Sequence, residues 1–403
     1  MLYLDENIGI KIDENQLLKE LNGELLFKPY LVTSNIKQYL KNFFAGLIND
    51  EFIALIDLNY SLKEISNIIG NTKLLTETKI ISTKIRSLDD FYWKIEDSKS
   101  KIGIFTSGTT GKPKLVKHLI KNFILNVRND KKHTMDIWGL AYNPTHMAGV
   151  QVIFQALLNK NRLINIFYKD RDFVIEQIEK HKITHISATP TWYRLLIDKN
   201  LRLRSVKSVT LGGENFDKPL YEDLRIIFPN AKITNIYAST EVGSLFTSRD
   251  DLFVVKKEIK SFVKIESNNL FVHKNLLGEF DYKLDGEWFN TGDKVDIISD
   301  APLTIKFFGR DGDFINIGGY KVNPFEIEEI LREHPQVINC KVYSQKNSVI
   351  GNIILADVIR RTNTISEKKL IDYLSKSLQG YKIPRVIKFV NNIEFTRTGK
   401  IKR

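Results

Sequence analysis

The residues best equipped for chemistry are crowded into Thr106-Ser107-Gly108-Thr109-Thr110-Gly111-Lys112-Pro113-Lys114. Hydroxyls, bare backbone N–H groups and ammonium ions in one loop are what a polyphosphate needs around it. The glycines let the backbone approach closely without a Cβ penalty. The loop is not that of the P-loop NTPases, which requires glycine where Thr106 stands and Ser or Thr where Pro113 stands. Further along, Tyr237-Ala238-Ser239-Thr240-Glu241 gathers an aromatic ring, two hydroxyls and a carboxylate. Such a ring can stack on a base, Thr240 can donate to a phosphate, and Glu241 can hold Mg²⁺. The same letters also spell a helix N-cap. Asn290-Thr291-Gly292-Asp293 sets a carboxylate after a glycine turn. A fixed carboxylate can accept both hydroxyls of a ribose, and Arg310 could pair with it or reach the same sugar. His146 sits in Asn143-Pro-Thr-His-Met-Ala-Gly149, and the chain ends in Thr396-Arg-Thr-Gly-Lys400-Ile-Lys-Arg403. Taken singly, these read as a turn, a cap, a turn acid, a structural histidine and a basic tail.

The elements that must position them alternate from Lys101 onward. The composition predicts strands at 102–106, 137–142, 162–167, 185–188, 206–211 and 232–237. Helices are expected at 115–128, 148–158, 173–181, 192–198 and 219–228. This pattern argues for a parallel sheet covered by helices, with ligands beyond the carboxyl ends of the strands. The Gly/Ser/Thr loop, Leu211-Gly212-Gly213-Glu214 and Tyr237–Glu241 all follow predicted strands, so they are expected to meet at one edge. After Glu241 the texture becomes short antiparallel strands, at 262–265, 270–272, 288–289, 294–298 and 304–308. Gly309-Arg310-Asp311-Gly312-Asp313 then punctuates the chain. Beyond it, Asn323-Pro324 opens a helix with Glu326, Glu328 and Glu329 in its first turns. Residues 1–100 carry no motif, although 36–48 reads as a helix and 52–58 as a strand.

Bulk composition narrows the class. The chain has 403 residues, 42% hydrophobic and 27% charged, which is ordinary for a globular protein. No apolar run approaches the roughly 18 residues of a membrane helix. The start, Met1-Leu-Tyr-Leu-Asp5-Glu6, carries acids where a secretory signal has lysines. A cytoplasmic protein without a membrane partner is expected. The single cysteine, Cys340, excludes an internal disulfide and a Cys-cluster metal site, and it reads as a quiet core thiol in a strand. The net charge of +12 favours polyanionic partners. There is no zinc-finger spacing, basic heptad region or aromatic RNA-binding strand pair, so nucleic acid is not expected. ATP, coenzyme A or an acidic carrier protein suit the charge equally well.

The order of the motifs carries more than any one of them. It runs Thr/Ser/Gly loop, His146, Gly-Gly-Glu, Tyr-x-Ser-Thr-Glu, Thr-Gly-Asp, Gly-Arg-Asp-Gly-Asp and a terminal Gly-Lys. Over residues 100 to 403 the chain thereby resembles the acyl-adenylate-forming superfamily of acyl-CoA synthetases, aryl-CoA ligases and adenylation domains. The stretch Gly309-Arg310-x-x-Asp313-x-Ile315-x-x-x-Gly319-x-x-Val322-x-Pro324-x-Glu326-Ile327-Glu328 looks like the family's hinge and the first helix of its small C-terminal domain.

The resemblance implies an α/β fold. A large N-terminal domain, 1–309, would comprise a trimmed subdomain (1–100), a nucleotide-binding part with a parallel, helix-covered sheet (101–245) and an antiparallel β subdomain (246–309). A small, mobile α+β domain would follow at 310–403. It implies an enzyme that converts a small carboxylic acid and ATP to acyl-AMP and pyrophosphate with Mg²⁺. The acyl group then passes to the thiol of coenzyme A or to phosphopantetheine on a carrier protein. A non-catalytic nucleotide-binding relative is the other reading. By similarity, Thr106, Ser107, Gly108, Thr109, Thr110, Gly111 and Lys114 wrap the outer phosphates. Gly212, Gly213 and Glu214 border the adenine and acyl pocket. Tyr237, Ala238 and Ser239 flank the adenine, Thr240 touches the α-phosphate and Glu241 holds Mg²⁺. Asp293 and Arg310 fix the ribose, His146 stands at the acyl-pocket mouth, and Lys400 is the mobile lysine that bridges the reacting groups. The pivot falls at Gly312, where relatives carry Asp or Lys, so rotation is expected to be permitted but poorly latched. The trimmed start could leave apolar surface for a homodimer, and no fused carrier domain is expected after Lys400.

Overall fold

The computed structural model describes residues 2–32, 35–58, 60, 65–66, 69–70, 72–106, 114–125, 127, 130–168, 170–214, 216–317, 320–347, 351–395 and 401. Its centre is an eight-stranded sheet. In spatial order the strands are Gly243–Ser248, Lys232–Ser239, Ser208–Gly212, His185–Ala188, Ile137–Leu140, Arg162–Asn165, Tyr3–Asp5 and Ile10–Ile12. The six inner strands run parallel, and each outer strand is antiparallel to its neighbour. Crossovers between parallel strands need helices, and Met147–Leu158, Arg171–His181 and Lys218–Ile227 supply them. The Met147–Leu158 helix is apolar on nearly every side and correspondingly buried. Asp170 and Asp217 start the other two by accepting backbone N–H groups of the first turn.

A second, four-stranded sheet is formed by Tyr30–Val32, Ile53–Ile56, Lys101–Thr106 and Lys114–Leu119. Here the structure corrects two expectations. Lys114–Leu119 is a strand, and among the described residues of the expected helix only Lys121–Ile124 is helical. Leu115, Val116, Leu119, Ile120, Phe123 and Ile124 recur at helical spacing, but pairing with Lys101–Thr106 across the Gly/Thr loop decides the outcome. The hairpin also belongs to this separate sheet. The Gly/Thr loop itself, residues 107–113, lies outside the described residues.

Five antiparallel strands follow: Leu252–Val254, Leu303–Arg310, Trp288–Asp300, Asn269–His273 and Val263–Glu266. The pieces expected at 288–289 and 294–298 are one continuous strand, irregular where its register shifts against Leu303–Arg310. From Ile315 the chain packs around its own apolar cluster. That part holds the helices Pro324–Glu333 and Glu367–Leu374 and a three-stranded sheet of Val337–Asn347, Gly351–Arg360 and Val386–Phe389. Glu328 is buried at 1% exposure and accepts the Val342 N–H at 2.8 Å. Cys340 is a buried free thiol, and burial pushes its pKa up to about 12. Among the described residues no helix is long and apolar enough to cross a membrane.

Candidate active site

The Lys232–Ser239 strand delivers Tyr237, Ala238 and Ser239 to the carboxyl end of the sheet, and Thr240 and Glu241 form the turn beyond it. No helix follows. Ser239 Oγ accepts the Val242 N–H at 3.3 Å, and Gly243 at φ +78° reverses the chain into the antiparallel outer strand. The turn is held from the second sheet: His118 Nε2 lies 2.6 Å from the Thr240 carbonyl oxygen. Burial holds the His118 imidazole below its ordinary pKa, against the opposing pull of Thr240 and Glu241. It is therefore a neutral donor through Nε2 to that carbonyl. On the other side the Gly278 N–H donates to the Glu241 carbonyl at 2.8 Å. A Cβ on Gly278 would lie 2.5 Å from the His118 ring, so only glycine fits this junction. The Glu241 carboxylate makes no hydrogen bond or ion pair with any described residue. An oxygen ligand kept available in this way suits a hard divalent cation.

Asp293 lies opposite Arg310 in the register of the antiparallel sheet. Its Oδ1 is 2.7 Å from Arg310 Nε, and its Oδ2 accepts the Tyr237 hydroxyl at 2.6 Å. Arg310 Nη2 also donates to the Thr291 carbonyl at 3.1 Å, and Thr291 Oγ1 accepts the Asp293 N–H at 3.1 Å. Burial, then the Asp293 charge, raises the Tyr237 pKa, so the phenol stays a donor. The Tyr237 ring is stacked on Phe307 with centroids 4.2 Å apart and packs at a tilt on Phe246 at 5.6 Å. The Asp293 carboxylate is thereby fixed in place, one oxygen on Arg310 and the other on Tyr237.

Gly212 ends the adjacent strand, with Gly213 at φ +83°. A Cβ on Gly212 would meet the Ile236 carbonyl at 3.3 Å, so the two strand ends crowd here. Glu214 Oε2 accepts the Thr191 N–H at 2.9 Å, and its Oε1 accepts the Ile401 N–H at 3.1 Å. The C-terminal tail thus touches the Gly-Gly-Glu turn. His146 opens the Met147–Leu158 helix without capping it through its side chain, and its ring stacks on Tyr142 with centroids 6.3 Å apart. Gly149 lets that helix start tight against the Asn143 carbonyl, which a Cβ would approach to 2.1 Å.

The structure therefore brings His146, Gly212–Glu214 and Tyr237–Glu241 to neighbouring strand ends, with Asp293 and Arg310 bonded to that group. Thr106 and Lys114 face each other at the tip of the hairpin in the second sheet. Ser107, Gly108, Thr109, Thr110, Gly111 and Lys400 lie outside the described residues. Gly312 sits in the turn after Arg310, closed by the Asp313 N–H donating to the Arg310 carbonyl at 3.1 Å.

Sequence reasoning missed a buried ionic cluster behind the site. Asp217 Oδ2 bonds Arg194 Nη2 and, at 2.8 Å, Arg332 Nε from the Pro324–Glu333 helix. Arg332 Nη1 lies 3.5 Å from Glu328 Oε2. Burial raises the Asp217 pKa, but the two guanidiniums pull harder and leave it below the ordinary value. Nothing in the local spacing links residues 115 positions apart. The cluster joins Arg332 and Glu328 of the Pro324–Glu333 helix to Asp217 and Arg194.

Comparison with known proteins gives the same outline. Residues 98–261 match the model described as AMP-binding enzyme, and 326–400 match the AMP-binding enzyme C-terminal domain. A mitochondrial acyl-coenzyme A synthetase of Homo sapiens is 27% identical over 348 residues, covering 74% of this chain and 59% of its own length. A 2-succinylbenzoate–CoA ligase of Staphylococcus aureus is 24% identical over 387 residues, covering 88% of this chain and 77% of its own. The chain spans only about three fifths of the mammalian relatives' length. Among solved structures, an anthranilate CoA ligase in complex with anthranoyl-AMP superposes with a TM-score of 0.75 at 18% identity, covering 99% of this chain and 92% of that one. The O-succinylbenzoate coenzyme A synthetase of Bacillus subtilis, in complex with ATP and magnesium ion, gives 0.71 at 18%, covering 99% and 95%.

Proposed function

The chain belongs to the superfamily of AMP-binding, acyl-adenylate-forming enzymes, and from that premise we propose that it is an AMP-forming carboxylate–thiol ligase. The observation that carries the reading is the junction of the Tyr237–Asp293–Arg310 group with a C-terminal tail that reaches Glu214. A carboxylate oxygen of the acid attacks the α-phosphorus of ATP, the bond to pyrophosphate breaks, and acyl-AMP remains. A thiolate then attacks the acyl carbon, and AMP leaves. The first step brings two anions together, so catalysis rests on positioning and on donors aimed at the developing charge. Asp293, oriented by Arg310 and Tyr237, receives the ribose hydroxyls. Gly212, Gly213, Tyr237, Ala238 and Ser239 border the adenine. Thr240, fixed from behind by His118, presents its hydroxyl to the α-phosphate. Glu241 would hold Mg²⁺, which supplies charge neutralisation of the phosphate oxygens when bound. Thr106, Lys114 and the loop between them take the outer phosphates. His146 lines the acyl side, and Lys400 supplies the last positive charge.

Coenzyme A is the proposed acceptor, since the relatives named above act with it. An acid of the aryl class heads the panel, because the 2-succinylbenzoate–CoA ligases align along most of this chain. The test is pyrophosphate release across an acid panel containing 2-succinylbenzoate, anthranilate and straight-chain acids, with coenzyme A or a carrier protein as acceptor. Lys400→Ala should abolish pyrophosphate release yet still convert supplied acyl-AMP to thioester. Absence of release with every acid, together with no ATP binding by calorimetry, would overturn the reading.

A further inference from the structure

A second cluster of chemically competent side chains lies at the opposite end of the same sheet. Asp136 immediately precedes the Ile137–Leu140 strand, His133 closes the short 3-10 turn Lys131–His133, and His185 begins the neighbouring strand. His185 pairs in register with Trp138. These are the amino ends of strands whose carboxyl ends carry Tyr142 and Ser187. A four-residue strand places the two ends about 13 Å apart, so this cluster is separate from the nucleotide site.

Asp136 Oδ2 lies 2.7 Å from His133 Nδ1 and 3.4 Å from His185 Nε2. One ligand atom from each of the three residues falls within 4.8 Å of the other two. Ligands of a tetrahedral ion at about 2.05 Å stand about 3.3 Å apart, so every pair here lies within about 1.5 Å of that spacing. Asp136 is buried at 7% exposure, and the His133 side chain, at 22%, leaves a way in for an ion and a water.

The surroundings hold the ligands in place. Thr184 Oγ1 accepts the Ile137 N–H at 2.8 Å and lies 2.9 Å from His185 Nδ1. With Nδ1–H donating to that hydroxyl, the Nε2 lone pair of His185 is turned toward Asp136. Metal-ligating histidines characteristically have such an outer partner. The Trp138 ring packs on His185 with centroids 4.9 Å apart. The His133 carbonyl accepts Asn161 Nδ2 at 2.8 Å, and Asn161 is itself buried.

From this geometry we infer a divalent transition-metal site of two imidazole nitrogens, one carboxylate oxygen and an open fourth position. The donor set suits Zn²⁺ and its analogue Co²⁺. It does not suit Mg²⁺, which prefers oxygen ligands. The ion would clamp the 130–136 segment onto the sheet, far from the reacting groups. It takes no part in the proposed reaction, and the inference does not depend on that reading.

The test uses the full chain, stripped with chelator and free of nucleotide. Co²⁺ titration should saturate at one equivalent with visible ligand-field bands of low-coordinate cobalt, and Zn²⁺ should bleach them. His133→Gln and His185→Gln should each weaken Co²⁺ binding at least tenfold, and Zn²⁺ should raise the unfolding temperature of the parent protein but not of these variants. His133→Gln alters a partly exposed turn, and its melting curve without metal reports whether it folds. Glu241→Gln should leave the bands unchanged. Absence of a one-equivalent spectrum, bands lost in Glu241→Gln, or parental affinity in both histidine variants would overturn the site and leave a carboxylate bonded to two imidazoles.

Discussion

Asp217→Asn tests whether the ionic cluster sets the orientation of the C-terminal domain. Asparagine is as good a helix N-cap as aspartate, so the bond from Oδ1 to the Leu220 N–H at 3.0 Å can persist. What disappears is the negative charge facing Arg194 and Arg332. At 2.8 Å from Asp217 Oδ2, Arg332 gains about 6 kcal/mol of Coulomb energy at an effective dielectric of about 20. Much of that offsets the desolvation of two buried ions, and breaking such a pair typically costs about 3–5 kcal/mol. Asp217 and Arg194 lie in the part that carries the strand-end site, whereas Arg332 lies in the C-terminal part. The Arg332 share is lost whenever the two separate. Taking the low end, about 3 kcal/mol, the docked arrangement should weaken roughly a hundredfold.

The docked arrangement is the one in which the tail reaches Glu214, so adenylation is the step expected to suffer. ATP–pyrophosphate exchange should fall by up to two orders of magnitude, while single-turnover thioester formation from supplied acyl-AMP holds or rises. Arg332→Met should act in the same direction. The double variant should lose less than the sum of the two, as contacting residues do. Unchanged exchange in both single variants would refute the latch. Equal loss of both half-reactions with a lowered melting temperature would refute it too, because that is plain destabilisation.

Three further outcomes are expected. Asp293→Asn removes a charge-assisted hydrogen-bonding partner worth about 1.5–3 kcal/mol; the KM for ATP should rise about tenfold or more with the acid KM little changed, and an unaltered ATP KM would count against the ribose role. His118 has a folded pKa below its unfolded value near 6.5. The unfolded chain then binds a proton that the fold refuses, so stability is present above pH 6.5 and is lost as pH falls below it. His334 adds to the same trend through its own burial. His118→Gln keeps an N–H donor for the Thr240 carbonyl and should show a shallower decline in urea-unfolding free energy between pH 7.5 and 5.5; identical slopes would remove His118 as the cause. At Gly312 an added Cβ would find nothing within 4 Å; Gly312→Pro should spare pyrophosphate exchange and suppress thioester formation, and equal loss of both would argue against Gly312 as the pivot.

The β/α alternation between Ile137 and Ser239 was legible because each strand is a short apolar run and each helix has a local start signal, such as Asp170, Thr189 or Asp217. Tyr237, Asp293 and Arg310 were legible as types that nucleotides need, although their mutual bonds were not. The hairpin at 101–119 was misread because its second arm carries a helical spacing of apolar residues that only the partner strand overrides. The roles of His118, Thr191 and Gly278 left no signal at all. Each acts through a contact with a turn more than 20 positions away, and a backbone carbonyl or N–H has no letter in the sequence.

The same blindness hid how the tail and the latch are joined. The Ile401 N–H bonds Glu214, whose other carboxylate oxygen accepts the Thr191 N–H. Thr191 lies in the five-residue helix Pro190–Arg194, and the last residue of that helix, Arg194, bonds Asp217. Asp217 bonds Arg332, which returns to the C-terminal domain and pairs with Glu328. One short helix beneath the strand ends is thus gripped at its start by the carboxylate that receives the tail. At its finish it is gripped by the carboxylate that receives the body of the C-terminal domain. A shift of this helix by the width of a side chain, such as a bulkier acid could impose, would disturb both grips at once. Packed ionic contacts of this kind are made or broken rather than stretched. Under the proposed reading, the chain of bonds through the Pro190–Arg194 helix is where substrate fit and domain docking would meet, with Glu214 and Asp217 as its two ends.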